Sequence, residues 1–314
     1  MTRTPWFSDE KVTLLLGDAH EVLSSLGPAS VDCIVTSPPY WRTRDYEGTA
    51  GQLGHEPTPA AYIEALRTVF AAARRVLADD GTLWLNLGDR YGAPAPGASQ
   101  KQLLGIPWRA ALALQADGWI LRSEIIWHKP NAVPESCRDR LARRHEHLFL
   151  FAKCPAYAFD LDSIRQPYTG DRALSRRVHR SANKPHTARG TWPRLARCSA
   201  ALGPHVQPTG RQHLADHPRG RNPGTVWQIP TRPSRLPHTA AYPIDLPLRA
   251  IAAGCRPGGH VLDPFSGTAT TGVAARQLGR TYTGIELVEG YHHLALPRLL
   301  QAERISDGRR NPAP

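Results

Sequence analysis

Short apolar runs that break off in a Gly-Asp, Pro-Pro or Asp-Pro step, with stretches of helical period between them, recur along this chain of 314 residues. Leu14-Leu15-Leu16 runs into Gly17-Asp18, Val31 to Val35 into Thr36-Ser37-Pro38-Pro39, and His260-Val261-Leu262-Asp263 into Pro264. Residues 82–87, closed by Gly88-Asp89, form another such run. Tyr62, Ile63, Leu66, Val69, Phe70, Ala73, Val76 and Leu77 mark a helix over 60–77, ended by Asp80-Gly81, and 106–116 repeats the signal. Further strands are predicted over 119–127, 225–229, 281–286 and 146–151, the last paired with a strand at 157–161. Shorter helices are predicted over 22–26, 243–253 and 273–278. This alternation specifies an α/β fold, a parallel sheet wrapped by helices.

The length suffices to bury a full core in one large domain, with or without an insertion. No run of eighteen apolar residues occurs and the first residues lack the apolar segment of a signal peptide, so a cytoplasmic protein without membrane association is expected. The formal net charge of +12 calls for an anionic partner, most simply nucleic acid. Most of that charge sits in residues 168–225, where no period lasts and eleven Lys or Arg face two acids, Asp171 and Asp216. This segment reads as a nucleic-acid-contacting insertion. Arg172, Arg176, Arg177, Arg180, Lys184, Arg189, Arg194, Arg197, Arg211, Arg219 and Arg221 are its candidates for phosphates and base edges. Cys33, Cys137, Cys154, Cys198 and Cys255 are odd in number and scattered, so neither disulfides nor thiol chemistry is expected. Cys198, His205, His213 and His217 fit no closed zinc site, and no metal is expected.

Two loops carry chemistry. In Thr36-Ser37-Pro38-Pro39-Tyr40-Trp41 the prolines stop the strand and fix the direction of nearby carbonyls. Acceptors beside an aromatic ring suit a planar group with an exocyclic amine. Asp263-Pro264-Phe265-Ser266-Gly267-Thr268 leads from a strand into a helix, whose first N–H groups are free for a ligand. Glu286 ends the next strand, where an acid can accept hydrogen bonds from both hydroxyls of a ribose. The stretch 263–272 does not read GxGxxG and carries no phosphate-loop lysine, which points to a nucleoside without phosphates, such as S-adenosylmethionine.

In order and spacing these segments resemble the β-class amino DNA methyltransferases over nearly the whole chain outside 168–225. Thr36 to Trp41 is similar to the family's catalytic loop and Asp263 to Thr268 to its cofactor loop. His238-Thr239-Ala240-Ala241-Tyr242-Pro243 is similar to the segment before the cofactor loop, and Gly17-Asp18 to the turn whose acid reaches the adenine. Trp127-His128-Lys129-Pro130-Asn131 and His145-Glu146-His147 match the target-base half. Ala269 stands where the family often has glycine, a departure expected to cost little.

The resemblance implies a Rossmann-like sheet with helices on both faces, formed by a catalytic domain of residues 1–167 and 226–314, with a target-recognition insertion at 168–225. It implies S-adenosyl-L-methionine as cofactor, bound by Asp18, Thr36, His238, Tyr242, Pro243, Asp263, Pro264, Phe265, Ser266, Gly267, Thr268 and Glu286. Catalysis would fall to Ser37, Pro38, Pro39 and Tyr40, with Arg42, Arg44 and Lys129 added to the DNA contacts. Ser37 before Pro-Pro-Tyr resembles the cytosine-N4 enzymes, so the expected activity is methylation of a flipped cytosine in double-stranded DNA. An adenine-N6 enzyme and a catalytically inactive DNA-binding relative are the alternatives. Such a protein can stand beside a cognate restriction endonuclease, as monomer or homodimer, and the sequence specifies neither.

Overall fold

A computed structural model describes residues 4–43, 45, 51–92, 100–168, 217–232 and 241–302. Its elements run β1 (Phe7–Ser8), β2 (Val12–Leu16), α1 (Ala19–Ser25), β3 (Val31–Thr36), α2 (Pro59–Val76), β4 (Leu77–Leu87), α3 (Ile106–Ala116), β5 (Ile120–His128) and β6 (His145–Ala152). They continue with β7 (Val226–Gln228), α4 (Asp245–Gly254), β8 (His260–Asp263), α5 (Thr270–Gln277), β9 (Thr281–Glu286) and α6 (Glu289–Gln301).

The strands form a nine-stranded sheet in the order β1-β2-β9-β8-β3-β4-β6-β5-β7. From β2 to β4 the five strands are parallel. The expected parallel sheet is corrected at β6, which runs antiparallel between β4 and β5. Because no helix separates it from β5, it returns as a neighbour in the opposite direction.

Strand alternation splits the core into two layers. Leu15, Ile34 and Leu85 face α1, α2 and α3, while Leu14, Cys33 and Val35 face α4, α5 and α6. Helix α2 begins at Thr58, whose Oγ1 accepts the Ala61 N–H at 3.1 Å, with Pro59 in its first turn. It buries Tyr62, Leu66, Val69, Phe70, Ala73 and Val76, the stripe its periodicity predicts. Each large apolar side chain so buried contributes about 1.5–3 kcal/mol.

Asp80-Gly81 does not separate helix from strand. The chain passes from Val76 directly into β4, and pairing shifts from Val31↔Leu77 to Cys33↔Thr82, so 78–81 form an irregular bulge. A Cβ at Gly81 would lie 2.6 Å from Leu77 Cδ1, so a larger residue there would have to displace the buried Leu77 side chain. Residues 157–161 form no strand either. Ala158 N–H bonds to Asp80 O at 2.8 Å and Asp160 N–H to Ala253 O at 2.7 Å, which ties this segment to the start of β4 and the end of α4. Helix α6 lacks a sequence-based prediction because Pro297 interrupts its period. Contrary to expectation, Cys154 is in a disulfide. Among the described residues no helix is long and apolar enough to cross a membrane.

The connections place the site. From β8 the chain moves through α5 to β9 on one side, and from β3 through α2 to β4 on the other. The adjacent β3 and β8 therefore bracket a topological switch point, where a crevice opens beyond the strand ends.

Candidate active site

The two predicted loops leave the carboxyl ends of β3 and β8 and open into one cavity of 800 Å³. Ser37, Pro38, Pro39, Tyr40, Asp18, Tyr242, Pro243, Glu286 and all of Asp263 to Thr268 line it. Thr36, buried behind them, donates from Oγ1 to Asp263 Oδ1 at 2.6 Å. Asp263 Oδ1 also accepts the Phe265 N–H at 3.1 Å, and Oδ2 accepts Thr271 Oγ1 at 2.6 Å. The Tyr242 hydroxyl bonds Thr271 Oγ1 in turn. Asp263 thus ties both loops and α5 together, and burial raises its carboxyl to about 6.

Glu286 is tied to the turn from the opposite side. Its Oε2 accepts the Gly267 N–H at 2.8 Å, and Oε1 accepts those of Leu287 and Val288 at 2.9 and 3.0 Å. Burial raises this carboxyl despite the three donors. Asp18 caps α1 by accepting the Glu21 N–H at 3.0 Å. Ser266 Oγ bonds the Tyr282 hydroxyl at 2.8 Å, and Thr268 Oγ1 accepts from Arg298 at 2.8 Å. The expectation that Ala269 costs little is corrected: it sits in the left-handed region (φ 57°), which costs a non-glycine residue about 1–2 kcal/mol.

At the other end of the cavity the Tyr40 ring lies against Gly88, where a Cβ would meet Tyr40 Cε2 at 2.6 Å. Its hydroxyl donates to Glu146 Oε2 at 2.6 Å and accepts from Asn86 Nδ2 at 2.8 Å and Ser37 Oγ at 3.2 Å. Burial and the neighbouring Glu146 hold the phenol well above its ordinary range. Tyr62 donates to the Pro39 carbonyl at 2.8 Å, which fixes the proline pair from below.

Asn86 and Tyr62 carry no site role in the sequence, and Glu146 carries only its place in the segment matched to the target-base half. Asn86 had a readable signal of its own, a polar side chain in the otherwise apolar 83–87. Its amide donates to Tyr40 and to Glu146, while the buried Oδ1 has no partner among the described residues. Such an orphan acceptor costs about 1–3 kcal/mol.

Lys129 lies inside the cavity, where its ammonium bonds Glu146 Oε1 and stands 4.4 Å over the Trp127 ring. Arg42 lies over Trp41 at the mouth, joined by Arg90, Arg140, Arg143 and Arg232, which the sequence reading did not single out. Burial and the neighbouring Arg143 and Arg42 lower the Arg90 guanidinium, while Glu135 pairs with Arg140 and Arg143, and Asp245 with Arg232. Arg221 bonds Gln166 through main chain and side chain, and Arg219 lies 3.9 Å from Asp162. Arg44, Arg172, Arg176, Arg177, Arg180, Lys184, Arg189, Arg194, Arg197, Arg211 and His238 lie outside the described residues, as do Cys198, His205 and His213. Among the described residues no group of three His, Cys, Asp or Glu is placed to hold a metal ion.

Comparison with known proteins agrees with this geometry. Residues 31–297 match the family model described as DNA methylase. The type II methyltransferase M.SmaI of Serratia marcescens is 39% identical over 92% of this chain and 90% of its own length. M.Cfr9I of Citrobacter freundii is also 39% identical, over 91% and 87%. Among solved structures, the PvuII DNA methyltransferase (cytosine-N4-specific) superposes with a TM-score of 0.66 at 17% identity, covering 95% of this chain and 90% of that one, a likeness of fold. A Thermus thermophilus protein solved in complex with S-adenosyl-L-methionine superposes at 0.57 with 25% identity, covering 94% and 96%. A switch-point cavity joining these two loops, in a chain that matches the family over most of its length, places this protein in the N6/N4 DNA methylase family, as a DNA methyltransferase.

Proposed function

We propose that this DNA methyltransferase moves the methyl group of S-adenosylmethionine onto the exocyclic N4 of a cytosine flipped out of duplex DNA. The observation that carries the reading is the shared cavity, with the Ser37–Tyr40 loop at one end and the Asp263–Glu286 wall at the other. Along that wall the charged side chains are the acids Asp18, Asp263 and Glu286, which suit the hydroxyl and amine donors of a nucleoside rather than phosphates. They fit the cofactor, with the faces of Pro264 and Phe265 beside them. When bound there, S-adenosylmethionine supplies an electrophilic methyl.

The remaining work falls to the chain's own groups. A base must leave the stack before its amine can be attacked in line, and Tyr40 offers the flipped ring a face. The Ser37 hydroxyl and Pro38 carbonyl accept the amine N–H bonds and stabilise positive charge as it grows on nitrogen. Serine in place of an acid supports cytosine, following the resemblance of the loop to cytosine-N4 enzymes. Arg42, Arg90 and Arg143 at the mouth suit phosphates beside the flipped nucleotide. The insertion at 168–225 is read as the target-recognition element, and the type II relatives favour a paired restriction endonuclease.

Duplex DNA incubated with the protein and labelled cofactor, then digested to nucleosides for mass spectrometry, should contain N4-methyldeoxycytidine. A product of N6-methyladenine would overturn the choice of base. Methylation-sensitive sequencing of the same DNA would return the site.

A further inference from the structure

We propose that Glu146 is a positioning residue that sets the polarity of the Ser37 hydroxyl through Tyr40, so that Ser37 meets the target amine as an acceptor. The inference rests on the reading of the Ser37–Tyr40 loop given above.

A hydroxyl can donate or accept, and only the second serves an amine whose N–H groups donate. The surroundings decide the direction. The Glu146 side chain is 16% exposed and its two oxygens are differently engaged. Oε1 takes the Lys129 ammonium, which can only donate. Oε2 accepts both the Tyr40 hydroxyl at 2.6 Å and Asn86 Nδ2 at 2.7 Å. An ionised carboxylate is acceptor-only, so the one Tyr40 proton points at Glu146 and the Tyr40 oxygen must accept. It does so from Asn86 Nδ2 at 2.8 Å and from Ser37 Oγ at 3.2 Å. With its proton committed to Tyr40, Ser37 presents lone pairs to the cavity.

The chain of direction is therefore Ser37 to Tyr40 to Glu146, anchored by Lys129. Asn86 reinforces it, because the amide orientation that serves Tyr40 and Glu146 is the one that leaves Oδ1 unpartnered. The high phenol pKa of Tyr40 acts in the same sense by keeping its proton in place.

Glu146→Gln separates this role from simple support of the ring. Lys129 would draw the glutamine oxygen and turn its NH2 toward Tyr40. The ring stays held, but Tyr40 now accepts from Gln and, with Asn86 Nδ2 still donating to it, sends its proton to Ser37, which reverses the chain. Single-turnover methyl transfer at saturating cofactor and duplex DNA, with calorimetric cofactor binding alongside, is measured for wild type, Glu146→Gln, Tyr40→Phe and the double variant. The same cycle carried out in an Asn86→Ala background removes the turned Oδ1 that would otherwise take the Tyr40 proton. Glu146→Gln should slow transfer about 100-fold with cofactor affinity unchanged, and cost nothing further in the Tyr40→Phe background. A Glu146→Gln rate near wild type, or losses that multiply in the double variant, would overturn the proposal. If Glu146→Gln does not fold, Lys129→Met makes the same cycle with Tyr40→Phe: loss of the anchor on Oε1 should slow transfer about tenfold and cost nothing further in the Tyr40→Phe background, and losses that multiply would overturn the proposal. An adenine product from the wild type overturns the choice of cytosine while the cycle still decides the relay. No methyl product at all overturns both.

Discussion

Thr36 Oγ1 donates a 2.6 Å hydrogen bond to Asp263 Oδ1, joining the ends of two neighbouring parallel strands 227 positions apart in sequence. The same carboxylate accepts Thr271 Oγ1 and the Phe265 N–H. Asp263→Ala strips two hydroxyls and an amide of their acceptor and is expected to cost about 3 kcal/mol. Cofactor affinity should fall with it. Urea denaturation and calorimetry check both, and a variant within about 0.5 kcal/mol of wild type, the usual range of surface substitutions, would show that this knot does not hold the loops.

The acidity of Asp263 gives a second test. Its folded value of about 6 lies above the ordinary 3.8, so the folded state binds the proton more tightly than the unfolded chain. The associated stability is present at low pH and is lost as pH rises from about 4 to about 6, on the order of 3 kcal/mol in all. The unfolding free energy of wild type minus that of Asp263→Asn should therefore decline across this window. Glu286, raised in the same direction, remains in both proteins and largely cancels in the difference. A difference that is flat or rises with pH would contradict the shift.

Ser37→Ala and Tyr40→Ala should each lose methyl transfer by about 100-fold or more while cofactor binding stays within about twofold. Single-turnover kinetics and calorimetry report the two quantities separately. Full activity in Tyr40→Ala would remove the loop from the chemistry.

Gly88→Ala places a methyl 2.6 Å from Tyr40 Cε2. The ring cannot swing away freely, because Glu146 and Asn86 hold its hydroxyl. Transfer is expected to fall about tenfold or more, with about 1–3 kcal/mol of stability lost. Gly290→Ala in α6, with open space around it, is the control and should leave the rate unchanged. Equal rates in the two variants would mean that the Tyr40 ring is free to move.

Local pattern carried much of this molecule. The stripe of α2, strands β8 and β9 and both loops could be read because each is encoded within one continuous stretch of at most 18 residues. The direction of β6 could not, since an apolar run such as Leu148 to Phe151 pairs equally well either way until its neighbours are known. Asp80-Gly81 has the composition of a turn, yet pairing with β3 draws it into a bulged strand.

By itself the sequence determined the alternating α/β architecture, the two loops and their family, because these follow from periodicity and from residues adjacent in the chain. Only the tertiary structure decided that Asp263 bonds Thr36 and Thr271, that Glu146 and Asn86 hold Tyr40, and that Lys129 serves Glu146 inside the cavity. The reason is physical: a hydrogen bond depends on positions within about 3 Å, and spacing along the sequence does not report how the sheet brings distant strand ends together.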